Sequence, residues 1–316
     1  MKYGKLPLSI PEHIEQLKNR NLIIDDGDKA KFYLKNIGYY RLSAYFIPFE
    51  QQTKNSSRNH NFIKNTNFND IINLYIFDRK LRLLIMEAIE RIEVAVRSNW
   101  VNELSLVNKN AHAYTDDQLF SDPTTHNEML QKIKKEMKRS KETYITHYND
   151  KYTEPNLPPT WAMAESLTFG SLSLWVSSTK NTKIKSAIAK NIGLPNTKIL
   201  EAVLHTLTYL RNLSAHHSRI WNRKFTIQLP KIKSFGNDFE LEIIGANGKE
   251  NQQQTTRYIY NYLIVLIKIM QHIQPNTTWT DRLSSHILTI NEEHHSKMGF
   301  PNDWQNKDIW KTYLKP

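Results

Sequence analysis

The stretch from about Phe68 to Leu104 constrains the fold more than any other part of the chain. Leu74, Phe77, Leu81, Ile85, Ala88, Ile92 and Ala95 recur at spacings of three and four, which lays one apolar stripe along a long α-helix. A stripe of this kind has to be buried against other elements. The remaining faces carry Asp78, Arg79, Arg82, Glu87, Glu90, Arg91, Glu93 and Arg97. Asp78–Arg82, Glu87–Arg91 and Glu93–Arg97 are each four apart with the acid first, the favoured order for helix-surface pairs worth about 0.3 kcal/mol each. These charges have a structural explanation before a functional one is needed.

Helical patterning continues on both sides. Ser9 ahead of Pro11 and Glu12 forms a capping box with proline in the first turn, so a helix starts there. A second helix starts around residues 25–28 and runs through Ala30, Phe32, Tyr33 and Leu34 to Gly38, followed by the aromatic-rich segment 39–46. Residues 51–66 are polar and aperiodic, as a surface loop would be, and residues 106–125 are also loop-like. A basic amphipathic segment occupies 132–141, and Pro155, Pro158 and Pro159 mark a break before Trp161. Further helices are predicted over 160–168, 171–180, 182–192 and 197–215. Phe225–Leu229 and Phe239–Ile243 alternate apolar and polar side chains around Gly236-Asn237, which predicts a small β-hairpin insertion. A helix over 253–273 has a broad apolar surface and belongs in the middle of a bundle. The fold class is mainly α. It reads as an N-terminal helical region over 1–66, a helical core with insertions over 67–275, and a tail over 276–316 that packs on the core.

The formal net charge is +12, from 43 Lys and Arg against 31 Asp and Glu. Such a surplus points to a polyanionic partner, nucleic acid before membrane, although a solvated basic surface has the same composition. Cysteine is absent, which excludes disulfides, thiolate metal sites and a cysteine nucleophile. The first residues lack the apolar core of a signal peptide, and the longest apolar stretch, Tyr262–Ile267, is too short to span a bilayer. A cytoplasmic protein without membrane partners is expected.

Leu200, Val203, Leu204, Leu207 and Leu210 form a buried stripe, followed by Arg211 and Asn212 and then by His216 and His217. RNA carries its own nucleophile, the 2′-hydroxyl beside each phosphate. Cleaving it needs a base, an acid for the leaving 5′-oxygen, and positive charge on the phosphorane-like transition state. Histidine can perform either proton transfer, and arginine holds phosphate oxygens in a fork. Asn212 can orient either group. The scheme requires no metal or cofactor, and the sequence contains neither His-Glu-x-x-His nor an acidic cluster at two-metal spacing. On an ideal helix Arg211 and His216 are offset by roughly 140°, so a bend, the long arginine side chain or a second copy must close the gap. The spacing also arises by chance, and basic residues at a helix C-terminus complement its dipole without any catalytic purpose.

The segments Leu34–Ser43, Phe77–Arg82, Ala88–Arg97, Pro158–Trp161, Leu167–Leu172 and Leu210–Arg223, closing with Met298–Pro301 and Trp304, resemble the Abi-2 abortive-infection family of bacterial phage-defence proteins, of the AbiD/AbiF type. The resemblance implies a HEPN-like helical bundle in which an Arg-Asn-x-x-x-His signature falls on Arg211, Asn212 and His216. It also implies a metal-independent endoribonuclease whose composite site joins two copies of the signature. One good match is present here, so the implied form is a homodimer. The AbiF type further implies a small non-coding RNA partner.

Other residues have two readings. Glu90 or Glu93 can hold His216 in one tautomer. Arg79, Arg82 and Arg97 can bind an RNA backbone, although pairing within the helix is the commoner explanation of such charges. His217, Arg219 and Arg223 follow the motif and are the preferred accessory phosphate contacts. The basic run 132–141 suits phosphates or plain solvent. Tyr39, Tyr40, Tyr45 and Phe46 suit base stacking or an aromatic core, and Trp221 suits a packing anchor. Two function classes remain: an endoribonuclease in phage defence, and a non-catalytic RNA-binding protein that assembles with a small RNA. DNA binding is weaker, since no recognition-helix signature stands out.

Overall fold

The computed structural model describes residues 2, 4, 6–51, 59–244 and 252–314. Its helices are α1 (Ile10–Asn19), α2 (Gly27–Ile37), α3 (Tyr39–Ser43), α4 (Phe68–Asn108), α5 (Pro123–Arg139), α6 (Thr143–Lys151), α7 (Thr160–Ala164), α8 (Phe169–Ser178), α9 (Thr182–Asn191), α10 (Thr197–Ala215), α11 (Ile259–Ile273), α12 (Trp279–Ile287), α13 (Glu292–Lys297) and α14 (Asp308–Lys311). A two-stranded antiparallel sheet, β1 (Leu241–Ile244) and β2 (Gln252–Thr255), lies between α10 and α11. The fold is mainly α, as the patterning predicts. The chain forms two compact units, Met1–Leu81 and Arg82–Pro316, and the division falls inside α4.

In the first unit the capping box forms: the Ser9 hydroxyl accepts from the Glu12 amide, and the Glu12 carboxylate accepts from the Ser9 amide at 2.6 Å. Asp26 caps α2 by accepting from the Lys29 amide, and α2 stops at Gly38. Tyr45 and Phe46 join Leu17, Leu34, Leu42 and Phe62 in the core, while Tyr39 stacks on His13 at 4.2 Å. Tyr40 alone of the four aromatics points outward, at 92 % exposure. The first part of α4 buries Leu74, Phe77 and Leu81 as expected. Asp78, read from the sequence as half of a surface pair, is instead fully buried and accepts a hydrogen bond from the Tyr45 hydroxyl at 2.6 Å. A tyrosine distant in sequence thus supplies part of the hydrogen bonding that a buried carboxylate requires.

In the second unit α4 buries Ile85, Ala88, Ile92, Val96, Trp100 and Leu104, with Ala95 at the margin of the stripe. The expected pairs Glu87–Arg91 (2.7 Å) and Glu93–Arg97 (2.6 Å) both form. The motif helix α10 packs against α8 and α9. A Cβ on Gly170 of α8 would lie 3.3 Å from the Thr208 methyl, so the two backbones approach closely there. Helix α11 is buried on nearly all sides from Ile259 to Ile267, as befits a central helix. Its start at Ile259, later than the sequence suggests, leaves residues 252–255 to the sheet.

The hairpin exists, but its partner strand differs from the expected one. Strand β1 pairs with β2, not with Phe225–Leu229. The alternation at 225–229 comes from an irregular segment that buries Phe225 and Leu229. It is held beside β2 by side chains: Gln228 Nε2 donates to the Thr255 carbonyl at 2.6 Å, and the Thr255 hydroxyl donates to the Leu229 carbonyl at 2.5 Å. The C-terminal residues pack on α4 and α11. Trp279 Nε1 donates to the Leu84 carbonyl, Arg282 pairs with Glu87, and Tyr260, Phe300, Trp304 and Trp310 form an aromatic cluster. No described helix is long and apolar enough to cross a membrane.

Candidate RNA-cleavage site on the motif helix

Helix α10 is capped by Asn196, whose side chain accepts from the Ile199 amide, and it buries Leu200, Val203, Leu204, Leu207 and Leu210. That burial fixes its rotation. Arg211 is left half-buried and Asn212 exposed on the last turns, with the Arg211 guanidinium 3.4 Å from Asn212 Oδ1. The helix stays regular through Ala215, so no bend brings Arg211 and His216 onto one face. His216 is the exposed C-cap, its amide still donating to the Asn212 carbonyl at 2.9 Å.

The stop comes one residue later. His217 takes φ +58, its amide donates to the Ser214 carbonyl, and the Ser218 amide donates to the Leu213 carbonyl. This is a Schellman end, which needs a left-handed residue just beyond the cap. The same stop closes α1 at Asn21, α4 at Lys109, α9 at Gly193 and α13 at Gly299. The positive φ of His217 is therefore a helix stop, and its effect is to hold His216 at an exposed end.

Helix α4 reaches this segment at two points. Arg82, only 4 % exposed, donates to the Ser218 carbonyl at 3.2 Å. Its expected role as a solvent-facing RNA contact is corrected: it braces the chain just past the motif. Glu93 is paired with Arg97 and also feels the charge of Arg211. Burial pushes the Glu93 carboxyl above its usual range, against the opposing pull of Arg97 and Arg211. The Arg97 guanidinium is further engaged by the Leu167 carbonyl at 3.1 Å and by Glu165 at 3.6 Å. It too serves as a brace, between α4 and the turn before α8, and its pair with Glu93 is the intrahelical one that the sequence suggests. Glu90 is exposed, and among the described residues neither Glu90 nor Glu93 hydrogen-bonds to His216. Glu93 faces the arginine, not the histidine.

After the stop, Ile220 and Trp221 are fully buried, and Trp221 is the packing anchor expected of it. Arg219 and Arg223 are half-buried and His217 is exposed. Arg223 returns to α10 beside Tyr209. Burial resists ionisation of the Tyr209 hydroxyl, yet hydrogen bonding at Thr226 and the Arg223 charge outweigh it and bring the phenol below its ordinary range. Tyr209 and Glu165 were not singled out from the sequence. Tyr209 directly precedes Leu210-Arg211 and was readable as part of that segment, whereas nothing local marks Glu165. Arg79 is exposed on the part of α4 that belongs to the first unit. Among the described residues no three His, Asp or Glu side chains converge as a metal site would require.

These features define a helical protein that displays an Arg-Asn-x-x-x-His cluster at the braced end of a buried helix. The chain matches the Abi-like protein family over residues 32–222, well over half its length, and belongs to that family. Membership implies a role in abortive infection, a phage-defence response. The matched stretch includes α10 and ends just after Trp221, while the Met298–Pro301 block lies beyond it. No curated protein and no solved structure matches the chain significantly.

Proposed function

We propose that the protein is a metal-independent endoribonuclease of abortive infection, acting in the cytoplasm with Arg211, Asn212 and His216 at its active centre. The reading rests on one observation above all: an imidazole stands exposed at a helix end, five residues after a half-buried guanidinium. His216 transfers the proton to or from the reacting oxygen during 2′-hydroxyl attack, and Arg211 neutralises the phosphate. Because α10 runs straight between them, one copy supplies half a site, and two copies of α10 meet in a homodimer to complete it. His217, Arg219 and Arg223 supply further phosphate contacts.

The test is cleavage of RNA by purified protein in EDTA. His216→Ala and Arg211→Ala are expected to abolish it while leaving the fold intact. Equal cutting by the alanine variants sinks the assignment, and a strictly monomeric active protein sinks the composite site. RNA binding without cutting under any condition favours the second reading, a non-catalytic protein assembled with a small RNA. That reading draws on the exposed basic surface.

A further inference from the structure

The basic run seen in the sequence lies on α5 and its end. Asp122 caps this helix by accepting from the Thr124 and Thr125 amides, and Met129, Ile133 and Met137 bury its inner face. His126 fixes the helix to α8: its ring stacks on Phe120 at 4.6 Å, meets Trp175 edge-on at 5.7 Å, and its Nε2 lies 2.9 Å from the Tyr114 carbonyl. Since α8 packs on α10, α5 is joined to the motif helix through one intermediate layer.

The outer face has a different character from that of α4. On α4, Arg91 and Arg97 each have a carboxylate within 2.7 Å. On α5, Lys132, Lys134, Lys135, Lys138, Arg139 and the following Lys141 are all exposed, and among the described residues none forms an ion pair. Glu136 is the one acid within that run of six cations, so the run supplies a net +5 of the chain's +12. Helical spacing puts Lys132, Lys135 and Arg139 in one row, spanning roughly 10 Å, with Lys134 and Lys138 in a second. Concentrating unpaired cations on one face costs repulsion that a merely soluble helix would avoid by interspersing acids.

The chain also carries this face toward the motif. Tyr144, just beyond Lys141, lies close enough to Arg97 and Glu165 for their charges to act on its hydroxyl, and Arg97 pairs with Glu93 beside Arg211. We infer that the outer face of α5 is an RNA-binding track that grips the sugar–phosphate backbone of a single strand running toward Arg211. The direction of the track rests on the ribonuclease reading, but its existence does not. A membrane surface suits the face poorly, because the apolar side chains of α5 that such a surface would need point inward.

The experiment is a salt titration of binding to a fluorescent single-stranded RNA with 2′-O-methyl riboses, which cannot be cut by 2′-hydroxyl attack. The variant Lys132→Gln/Lys135→Gln/Arg139→Gln is expected to flatten the slope of log K against log salt by about 2, at about 0.7 for each phosphate no longer neutralised. Glutamine keeps the helix, which circular dichroism verifies. A control of equal charge change, Lys183→Gln/Lys190→Gln/Lys198→Gln on α9 and α10, is expected to keep the wild-type slope. An unchanged slope in the first variant overturns the track, as does an equal flattening in both. Weakened binding to phosphatidylserine vesicles with RNA binding intact also overturns it. Charge-dependent binding without cutting of unmodified RNA refutes the ribonuclease reading alone, and cutting through His216 with an unchanged slope refutes the track alone.

Discussion

Trp221 meets the buried His294 edge-on, with ring centroids 5.3 Å apart and planes at 76°. The contact joins the segment just past the motif to α13 near the C-terminus. Burial first, then the charges of Lys297 and His295, push the His294 ring below its ordinary proton affinity, with Glu293 opposing.

A pH dependence follows from this contact. The unfolded chain protonates His294 near 6.5, whereas the folded chain holds it neutral to lower pH. The stability contributed by a neutral His294 is thus complete above about pH 6.5 and is lost as pH falls through the lower folded value. His294→Phe keeps a ring against Trp221 and removes the proton uptake. Its melting temperature should fall less than that of the wild type between about pH 7.5 and 5. An identical fall in both proteins would show that the ring is not held neutral.

The stop at His217 makes a backbone prediction. Valine there must take a left-handed φ against its branched Cβ, whereas asparagine and glycine accept that conformation. His217→Val should cost about 1–2 kcal/mol more than His217→Asn in urea unfolding, and all such variants lose the imidazole. Comparing them separates the backbone role from any contact with RNA. Lys109→Gly at the end of α4, where the side chain is exposed, should stabilise by about 0.5 kcal/mol.

Arg82 is a brace with a measurable cost of removal. Arg82→Met leaves the Ser218 carbonyl without a charged donor and is expected to destabilise by about 2 kcal/mol. It should weaken RNA cleavage without changing the salt slope of RNA binding, since a buried guanidinium releases no counterion. A flatter slope would return Arg82 to the RNA surface.

Gly299 ends α13 at φ +82, and a Cβ there would lie 2.6 Å from the Tyr258 Cβ. Gly299→Ala should cost more than about 2 kcal/mol, because a close approach adds to the roughly 1–3 kcal/mol of a strained backbone. A melting temperature unchanged from wild type would contradict that geometry. The prediction gives the Met298-Gly299-Phe300 block a structural reason, separate from any role in cleavage.

Much of the fold was legible because the signals are local. The Ser9–Glu12 box, the α4 stripe and the α10 boundaries depend on spacing along one element, and all appear as read. The burial of Asp78 and Arg82 escapes a local reading because charges on a helix look exposed until their surroundings are known, and two groups that they bond, the Tyr45 hydroxyl and the Ser218 carbonyl, lie far away in sequence. Strand pairing failed for a similar reason: the alternation at 225–229 is real, but Gln228 and Thr255 decide how that segment is satisfied. At the site, residue types and spacing were readable, whereas the left-handed His217 was not. Histidine does not announce a helix stop as glycine would.

Arg82 and Glu93 stand roughly 16 Å apart along the axis of α4, and they engage the chain on either side of His216, at Ser218 and near Arg211. One helix therefore acts as a ruler for the motif. A slip of α4 by a single residue would turn each side chain by roughly 100° and unseat both contacts together. The register of α4 and the placement of the segment that carries Arg211 and His216 are thus set together.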